Sequence, residues 1–147
     1  MNRKVVLITG GEGFLGRRLA GALVGSGHDV ILADSLQRNK LQPIEGSNIT
    51  RVNCDITKKV SLEKLPHDIS IVYHLAAISS PATCDENPEL AFKVNVNGTY
   101  NLLRFCVGRS VDKIIFPSGA HLYGDQPKYL PLDEKHPTEM VEHVYNG

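Results

Sequence analysis

The chain has 147 residues, 41% of them hydrophobic, and its 16 Lys+Arg balance its 16 Asp+Glu to a formal net charge of zero. That is one domain's length with enough apolar residues for a real core, and it offers no basic stripe of the kind a nucleic-acid binder needs. The N-terminal ten residues hold only "VVLI" between polar flanks, too short for a signal-peptide core or a membrane span.

In chain order the sequence alternates. "KVVLIT" (Lys4–Thr9), "DVILAD" (Asp29–Asp34), "ITRVNCD" (Ile49–Asp55), "ISIVYHLA" (Ile69–Ala76) and "KIIFPS" (Lys113–Ser118) are short and β-branched, with nearly continuous apolar character. Such runs predict strands buried on both faces, as in a parallel sheet. Between the first two lies "FLGRRLAGALVGSG", predicted as a helix with Phe14, Leu15, Leu19, Leu23 and Val24 on one face and a glycine closing its C-terminus. "VSLEKL" (Val60–Leu65) predicts a short helix. "ENPELAFKVNVNGTYNLLRFCVGRS" predicts a single long one, with Pro88 in its first turn and Leu90, Val94, Leu102 and Phe105 among its apolar positions. Strands and helices in alternation predict an α/β fold, a Rossmann-type doubly wound parallel sheet with helices on both faces.

Three widely spaced cysteines, Cys54, Cys84 and Cys106, form no CxxC pair and predict a reducing, cytoplasmic setting. The six histidines form no HxxxH or HExxH, so no metal site is predicted. His67 and His74 read as surface or capping residues.

Four glycines fall within seven residues between the first strand and the first helix. Glycine is costly in regular structure, so a cluster at the C-terminal edge of a parallel sheet points to a ligand there. Gly11, Gly13 and Gly16 spell GxGxxG, whereas Gly10, Gly13 and Gly16, preceded by Thr9, spell TGxxGxxG. In either register one glycine permits the tight turn, Gly13 lets a pyrophosphate approach the backbone, and Gly16 lets the helix pack close to the sheet. The helix N-terminus then offers free N–H groups and a positive dipole end to the phosphates. Asp34 ends the second strand 18 residues after Gly16, where a carboxylate accepts hydrogen bonds from ribose hydroxyls. The same carboxylate opposes a 2′-phosphate and favours NAD over NADP, with Arg38 and Lys40 nearby as the opposing signal. Asp55 ends the third strand and either bonds the adenine amino group or caps the next helix.

These motifs together resemble the extended short-chain dehydrogenase/reductases, and within them the NAD-dependent sugar-nucleotide epimerases and dehydratases. The likeness runs over essentially the whole chain. "TGGEGFLG" is similar to the family's TGxxGxxG and implies cofactor contacts at Gly10, Gly13, Phe14, Leu15 and Gly16. "VILAD" with "SLQRNK" resembles the strand and loop around the adenosine ribose, which implies Asn39 beside Asp34. "CDIT" implies Asp55 and Ile56 under the adenine. "HLAA" implies Leu75, Ala76 and Ala77 along the nicotinamide side, and "NVNGT" implies Asn95. What the resemblance implies for the whole protein is NAD-dependent hydride chemistry on a nucleotide sugar. Composition predicts no nucleic-acid or membrane partner, and an exposed fifth-strand edge with uncovered helix faces predicts a homo-oligomer.

The family's catalytic groups are a Tyr-x-x-x-Lys pair and a Ser or Thr that positions the reacting hydroxyl. "SGAHLYGDQP" (Ser118–Pro127) resembles the stretch bearing that hydroxyl, but the matching position is Gly119. Ser118 is the neighbouring candidate, and His121 another donor. Tyr145 stands about where the catalytic tyrosine is expected, and the lysine would fall two residues past Gly147. The resemblance therefore implies residues 1–147 as an NAD-binding domain, incomplete at its C-terminus, with a further strand and a substrate domain in the full-length relatives. Two other readings stay open: a non-catalytic dinucleotide-binding or redox-sensing module, and a related reductase acting on another hydroxyl substrate.

Overall fold

In the computed structural model of the chain, residues 3–36, 46–124 and 126–138 are described. The apolar runs form β1 (Val5–Thr9), β2 (Asp29–Asp34), β3 (Ile49–Asn53), β4 (Ile71–His74) and β5 (Lys113–Ile115). All pairs are parallel, and the order across the sheet is β3-β2-β1-β4-β5. The chain order reverses at β1, between β2 and β4, which leaves a crevice beyond the C-terminal ends of those strands. Thr9 lies beside Ala33 on one side and His74 on the other, so the glycine turn, the end of β2 and the end of β4 converge there.

Successive side chains along β1 and β2 go to opposite faces. Leu7, Ile31, Ala33 and Val72 pack with Leu62, Leu65, Leu102 and Cys106 on one face. Ile8, Val30 and Leu32 pack with Ala20, flanked by Leu19, Leu23 and Val24, on the other. The first set belongs with helices α2 (Lys59–Leu62) and α5 (Thr99–Gly108), the second with α1 (Phe14–Gly25). This is the doubly wound arrangement, and the near-total burial of β1 and β2 explains why their sequences lack polar alternation.

Helix α1 ends as expected. The Gly27 N–H bonds the Val24 carbonyl and the His28 N–H bonds the Leu23 carbonyl, with Gly27 at φ +85°, a turn that favours glycine. Its expected apolar face packs on the sheet at Leu19, Leu23 and Val24 but not at its first two residues. Gly16 and Ala20 are buried, whereas Phe14 and Leu15 are exposed at 79% and 55%. The first turn begins at the crevice beyond the strand ends, and Phe14 lines that crevice.

The predicted long helix is divided. Helix α3 (Pro81–Glu86), which the apolar pattern does not announce, is capped by the Ser80 hydroxyl accepting the Thr83 N–H. Helix α4 (Pro88–Phe92) is capped by Asn87 accepting the Leu90 N–H, which moves the expected start at Glu86 past a break. A π-helical segment, Lys93–Gly98, then joins α4 to α5. The Thr99 hydroxyl donates to the Asn95 carbonyl at 2.5 Å, taking the acceptor that an α-helical bond from the Thr99 N–H would use.

The remaining differences are shorter elements. Helix α2 is four residues, Lys59–Leu62, starting one residue before the region predicted as Val60–Leu65 and ending three residues short of it. Strands β3 and β4 end at Asn53 and His74, before Asp55 and Ala76. Strand β5 stops at Ile115, not Ser118, because Pro117 has no N–H for a ladder and residues 116–119 are exposed.

Candidate functional site

Backbone conformation decides between the two glycine registers. Gly10 has φ +65°, and a Cβ there would sit 2.8 Å from backbone atoms of Leu75 and Ala76. Gly10 is therefore the turn glycine, and TGxxGxxG is the register that applies. A Cβ on Gly16 would meet the Gly10 carbonyl oxygen at 2.6 Å and Gly11 at 2.8 Å, so α1 packs directly on the turn. Gly13 differs: its φ is −72°, and the sole neighbour of an added Cβ is the Gly10 oxygen at 3.1 Å. Gly13 is also the N-cap of α1. No side chain caps that end and no acid lies in the first turn, so the turn presents uncapped backbone to the cleft.

The cleft, about 500 Å³, opens at this turn. Its near wall is Gly10, Gly13 and Phe14, with Asp34 and Ser35 at the end of β2. Cys54, Asp55, Ile56, Thr57 and Lys58 form a second wall after β3, and Ala76, Ala77, Ile78 and Ser79 a third after β4. Leu90, Lys93 and Val94 close one side. The Asp34 carboxylate is held in place, with Oδ2 accepting the Glu12 N–H at 3.2 Å and Oδ1 the Leu36 N–H at 2.9 Å. Each oxygen keeps acceptor capacity for a hydroxyl.

Asp55 closes its own turn instead of capping a helix. Its Oδ1 accepts the Thr57 N–H at 3.0 Å and the Thr57 hydroxyl at 2.7 Å, and Lys58 lies 3.3 Å from Oδ2, whereas α2 has no side-chain cap. Burial raises the Asp55 carboxyl, but the Thr57 bonds and Lys58 outweigh it and hold the group below the usual carboxylate range. Cys54, beside it, is pushed up to about 11 by burial and then by Asp55, so its thiol supplies no thiolate at neutral pH.

A polar relay ties the turns together. His74 is buried at 3% exposure with both ring nitrogens bonded to threonine hydroxyls, which corrects the expectation of a surface or capping residue. The Thr99 hydroxyl donates to Asn95, so His74 Nε2–H must donate to Thr99 Oγ1 at 2.9 Å, and His74 Nδ1 accepts from Thr9 Oγ1 at 2.7 Å. Thr9 Oγ1 in turn accepts the Ala76 N–H at 3.3 Å. Asn95 clamps Ile78 from both sides, its Oδ1 accepting the Ile78 N–H at 2.8 Å and its Nδ2 donating to the Ile78 carbonyl at 3.1 Å. Gly98 leaves room for Ile56, whose Cδ1 would lie 2.7 Å from a Cβ there, and Asn101 Nδ2 donates to the Ile56 and Thr57 carbonyls. The "NVNGT" segment thus supports the cleft walls from behind.

The structure accordingly separates the expected residues. Gly10, Gly13, Phe14, Asp34, Asp55, Ile56, Ala76 and Ala77 line the cleft. Gly16, Leu75 and Asn95 stand behind it, and Leu15 is exposed outside its lining. Ser118 is exposed in the loop after β5 and does not line it. Asn39 and Tyr145 lie outside the described residues, as does the loop with Arg38 and Lys40. Lys93 on the rim was missed, since a lysine in a helical run carries no signal of what it faces.

A switch-point crevice with a glycine turn, an uncapped helix N-terminus and a carboxylate at the end of β2 defines a Rossmann-type dinucleotide-binding domain. A model of the NAD-dependent epimerase/dehydratase family matches residues 6–145. The chain belongs to that family. It is 38% identical over 142 residues to a putative UDP-glucose 4-epimerase of Methanocaldococcus jannaschii, covering 93% of this chain and 45% of that protein. Among solved structures, the epimerase Mth375 of Methanothermobacter thermautotrophicus aligns with a TM-score of 0.89 at 30% identity, over 99% of this chain and 44% of the other. The Thermus thermophilus UDP-glucose 4-epimerase, solved in complex with NAD, aligns with a TM-score of 0.86 at 30% identity, over 97% and 46%. The chain spans less than half the length of these relatives, matching their N-terminal, NAD-binding part.

Proposed function

We propose that residues 1–147 form the NAD-binding domain of a sugar-nucleotide epimerase or dehydratase. The observation that carries the reading is the Gly10–Gly13 cradle open to the cleft, with the Asp34 carboxylate held at its far end. In this reading the Gly13 backbone and the first turn of α1 hold the pyrophosphate, and Asp34, with Asn39 from the following loop, accepts the ribose hydroxyls. Asp55 and Ile56 face the adenine, and the Leu75–Ala77 backbone lies along the nicotinamide. Phe14 covers the phosphates, Leu15 and Gly16 set the helix behind them, and Asn95 fixes the nicotinamide wall through Ile78. When bound, NAD supplies a hydride acceptor and donor. Tyr145 is the proposed base and Ser118 the proposed hydroxyl that orients a nucleotide sugar in the full-length protein, which we place in the cytoplasm. Calorimetric titration should give saturable NAD binding, and no heat and no thermal shift with either NAD or NADH would refute the reading. Asp34→Ala should weaken NAD by about tenfold or more, the loss of one to two hydrogen bonds to a charged acceptor, and weaken NADP less. An equal loss for both would refute the ribose assignment.

Gly119, without the family's hydroxyl, favours a second reading in which the domain binds the dinucleotide without turnover. Thiol-based sensing has no support in that case, because all three cysteines are buried. Steady-state assay of the full-length protein on nucleotide sugars separates the two.

The assembly proposed is a homo-oligomer. Phe92, Val96, Tyr100, Leu103 and Val107 recur at helical spacing and are 41–79% exposed, forming one apolar stripe along the α4–α5 rod. A second copy would bury that stripe. Light scattering should find self-association that Tyr100→Lys with Val107→Lys abolishes, and an unchanged mass for that variant would refute the interface.

A further inference from the structure

We propose, resting on the cofactor reading above, that Lys93 is a further cofactor-binding residue: it supplies the cleft's free positive charge, which acts on the phosphates of the dinucleotide. Leu90, Lys93 and Val94 stand three and four residues apart, on one helical face, and all three line the cleft. Lys93 opens the π-helical segment Lys93–Gly98, which is fixed on two sides. Asn95 bonds the N–H and carbonyl of Ile78, and Gly98 seats Ile56. Leu90 and Val94 pack against Ile78, Cys84 and Ala91. The backbone at position 93 is thus held at the cleft rim, while the lysine itself stays exposed.

The charges along the lining give this lysine its role. Among the described residues, the charged side chains that line the cleft are Asp34, Asp55, Lys58 and Lys93. Lys58 Nζ is committed to Asp55 Oδ2 at 3.3 Å, and Lys93 forms no ion pair with a described residue. On α1, Arg17 is paired with Glu12 and Arg18 lies over the Phe14 ring, and neither lines the cleft. The glycine turn therefore meets the phosphates with backbone alone. A pyrophosphate brings about two negative charges to a lining that already holds the Asp34 carboxylate. Without Lys93 that lining would be net negative and would repel it; with Lys93 the lining is neutral.

The size of the effect follows from the size of the cleft. Acting on a dianion roughly 8 Å away, the order of the width of a cleft of about 500 Å³, a unit charge changes affinity about fivefold even at the dielectric of water. Lys93→Gln is accordingly expected to bind NAD and ADP about fivefold more weakly than wild type at low ionic strength, and to bind adenosine, which has no phosphate, equally well. In about 0.5 M salt the screening length falls to roughly 4 Å, and the loss should shrink below about twofold.

The test is calorimetric titration of the wild-type chain and three variants with NAD, ADP and adenosine at both salt concentrations. Lys93→Arg keeps the charge and should bind NAD like wild type. Lys113→Gln removes an exposed lysine at the start of β5, the end of the sheet away from the cleft, and should leave all three affinities unchanged. A Lys93→Gln protein that binds NAD and ADP like wild type overturns the proposal. So does an equal loss for adenosine, which would set the lysine against the base, and so does an equal loss in Lys113→Gln, which would be an effect of net charge alone. Failure of Lys93→Gln to fold also overturns it, since the lysine is then structural. A wild-type chain that binds none of the three ligands overturns the cofactor reading itself.

Discussion

Gly13→Val is expected to leave the chain folded and to weaken NAD by about a hundredfold or more, whereas Gly16→Val is expected to cost the fold itself. The two glycines sit three residues apart in one motif, but their surroundings differ. At Gly13 an added Cβ meets a single atom, the Gly10 oxygen at 3.1 Å, in a backbone conformation open to any residue. The rest of the side chain extends toward the cleft, where it blocks the approach of the pyrophosphate to the α1 N-terminus. Losing one or two charge-assisted hydrogen bonds amounts to about 3 kcal/mol, hence the hundredfold. At Gly16 the Cβ would lie 2.6 Å from one backbone atom and 2.8 Å from two others, none of which can rotate aside. Overpacking of this kind costs about 3 kcal/mol or more, a large part of a domain's net stability. Urea titration and NAD calorimetry on both variants separate the effects. A Gly13→Val protein that binds like wild type would place the phosphates elsewhere, and a Gly16→Val protein of wild-type stability would contradict the packing.

The second large effect is a loss of stability in mild acid that His74 controls. Burial holds its imidazole down to about 4 in the fold, against a usual value of 6.5. The folded state therefore binds this proton less readily than the unfolded chain. Above pH 6.5 the ring is neutral in both states and the stability is fully present; it is lost as pH falls from 6.5 toward 4. The total is about 3 kcal/mol, since each pH unit between the two values is worth about 1.4 kcal/mol. The geometry agrees with the sign. Nδ1 accepts from Thr9, so a proton there would force the Thr9 hydroxyl round and disturb the bond it accepts from Ala76. Carboxylates titrate in the same range, so the informative quantity is a difference. His74→Asn should be less stable than wild type at pH 7 and show a shallower fall in urea midpoint between pH 6.5 and 4.5. Parallel pH profiles for the two proteins would show that His74 does not carry the linkage.

Much of this protein was readable along the chain because its signals are local. Strands β1 and β2 are buried on both faces, so nearly every residue had to be apolar, and both were found with correct C-terminal ends. Gly27 and His28 close α1 through bonds to the Val24 and Leu23 carbonyls, three and five residues earlier, which is why the "SG" stop was visible. The glycine turn and Asp34 stood out for a similar reason: a strand end, a turn and a helix start are adjacent in sequence.

The features that local pattern left open depend on what arrives from far away. Whether Gly10 or Gly11 begins the motif turns on Leu75 and Ala76, more than sixty residues distant. Gly11 is needed for another reason, since a Cβ there would lie 2.9 Å from Leu32 of β2. The division of the long helix comes with Asn95 bonding Ile78 and with Thr99 accepting from His74 and donating to the Asn95 carbonyl, none of which alters the apolar period. Ser118 looked like a strand-end hydroxyl but lies in an exposed loop, because an edge strand with Pro117 cannot extend so far. Glu12 carries no local signal of its burial, because the register of β3 is what brings Arg51 to it. By itself, then, the sequence determined the fold class and the end of the sheet at which the cleft opens, through burial and turn chemistry that act within a few residues. Only the tertiary structure decided which glycine does what, why His74 is neutral and which cations Glu12 engages, because each depends on a partner that folding brings from another strand or helix.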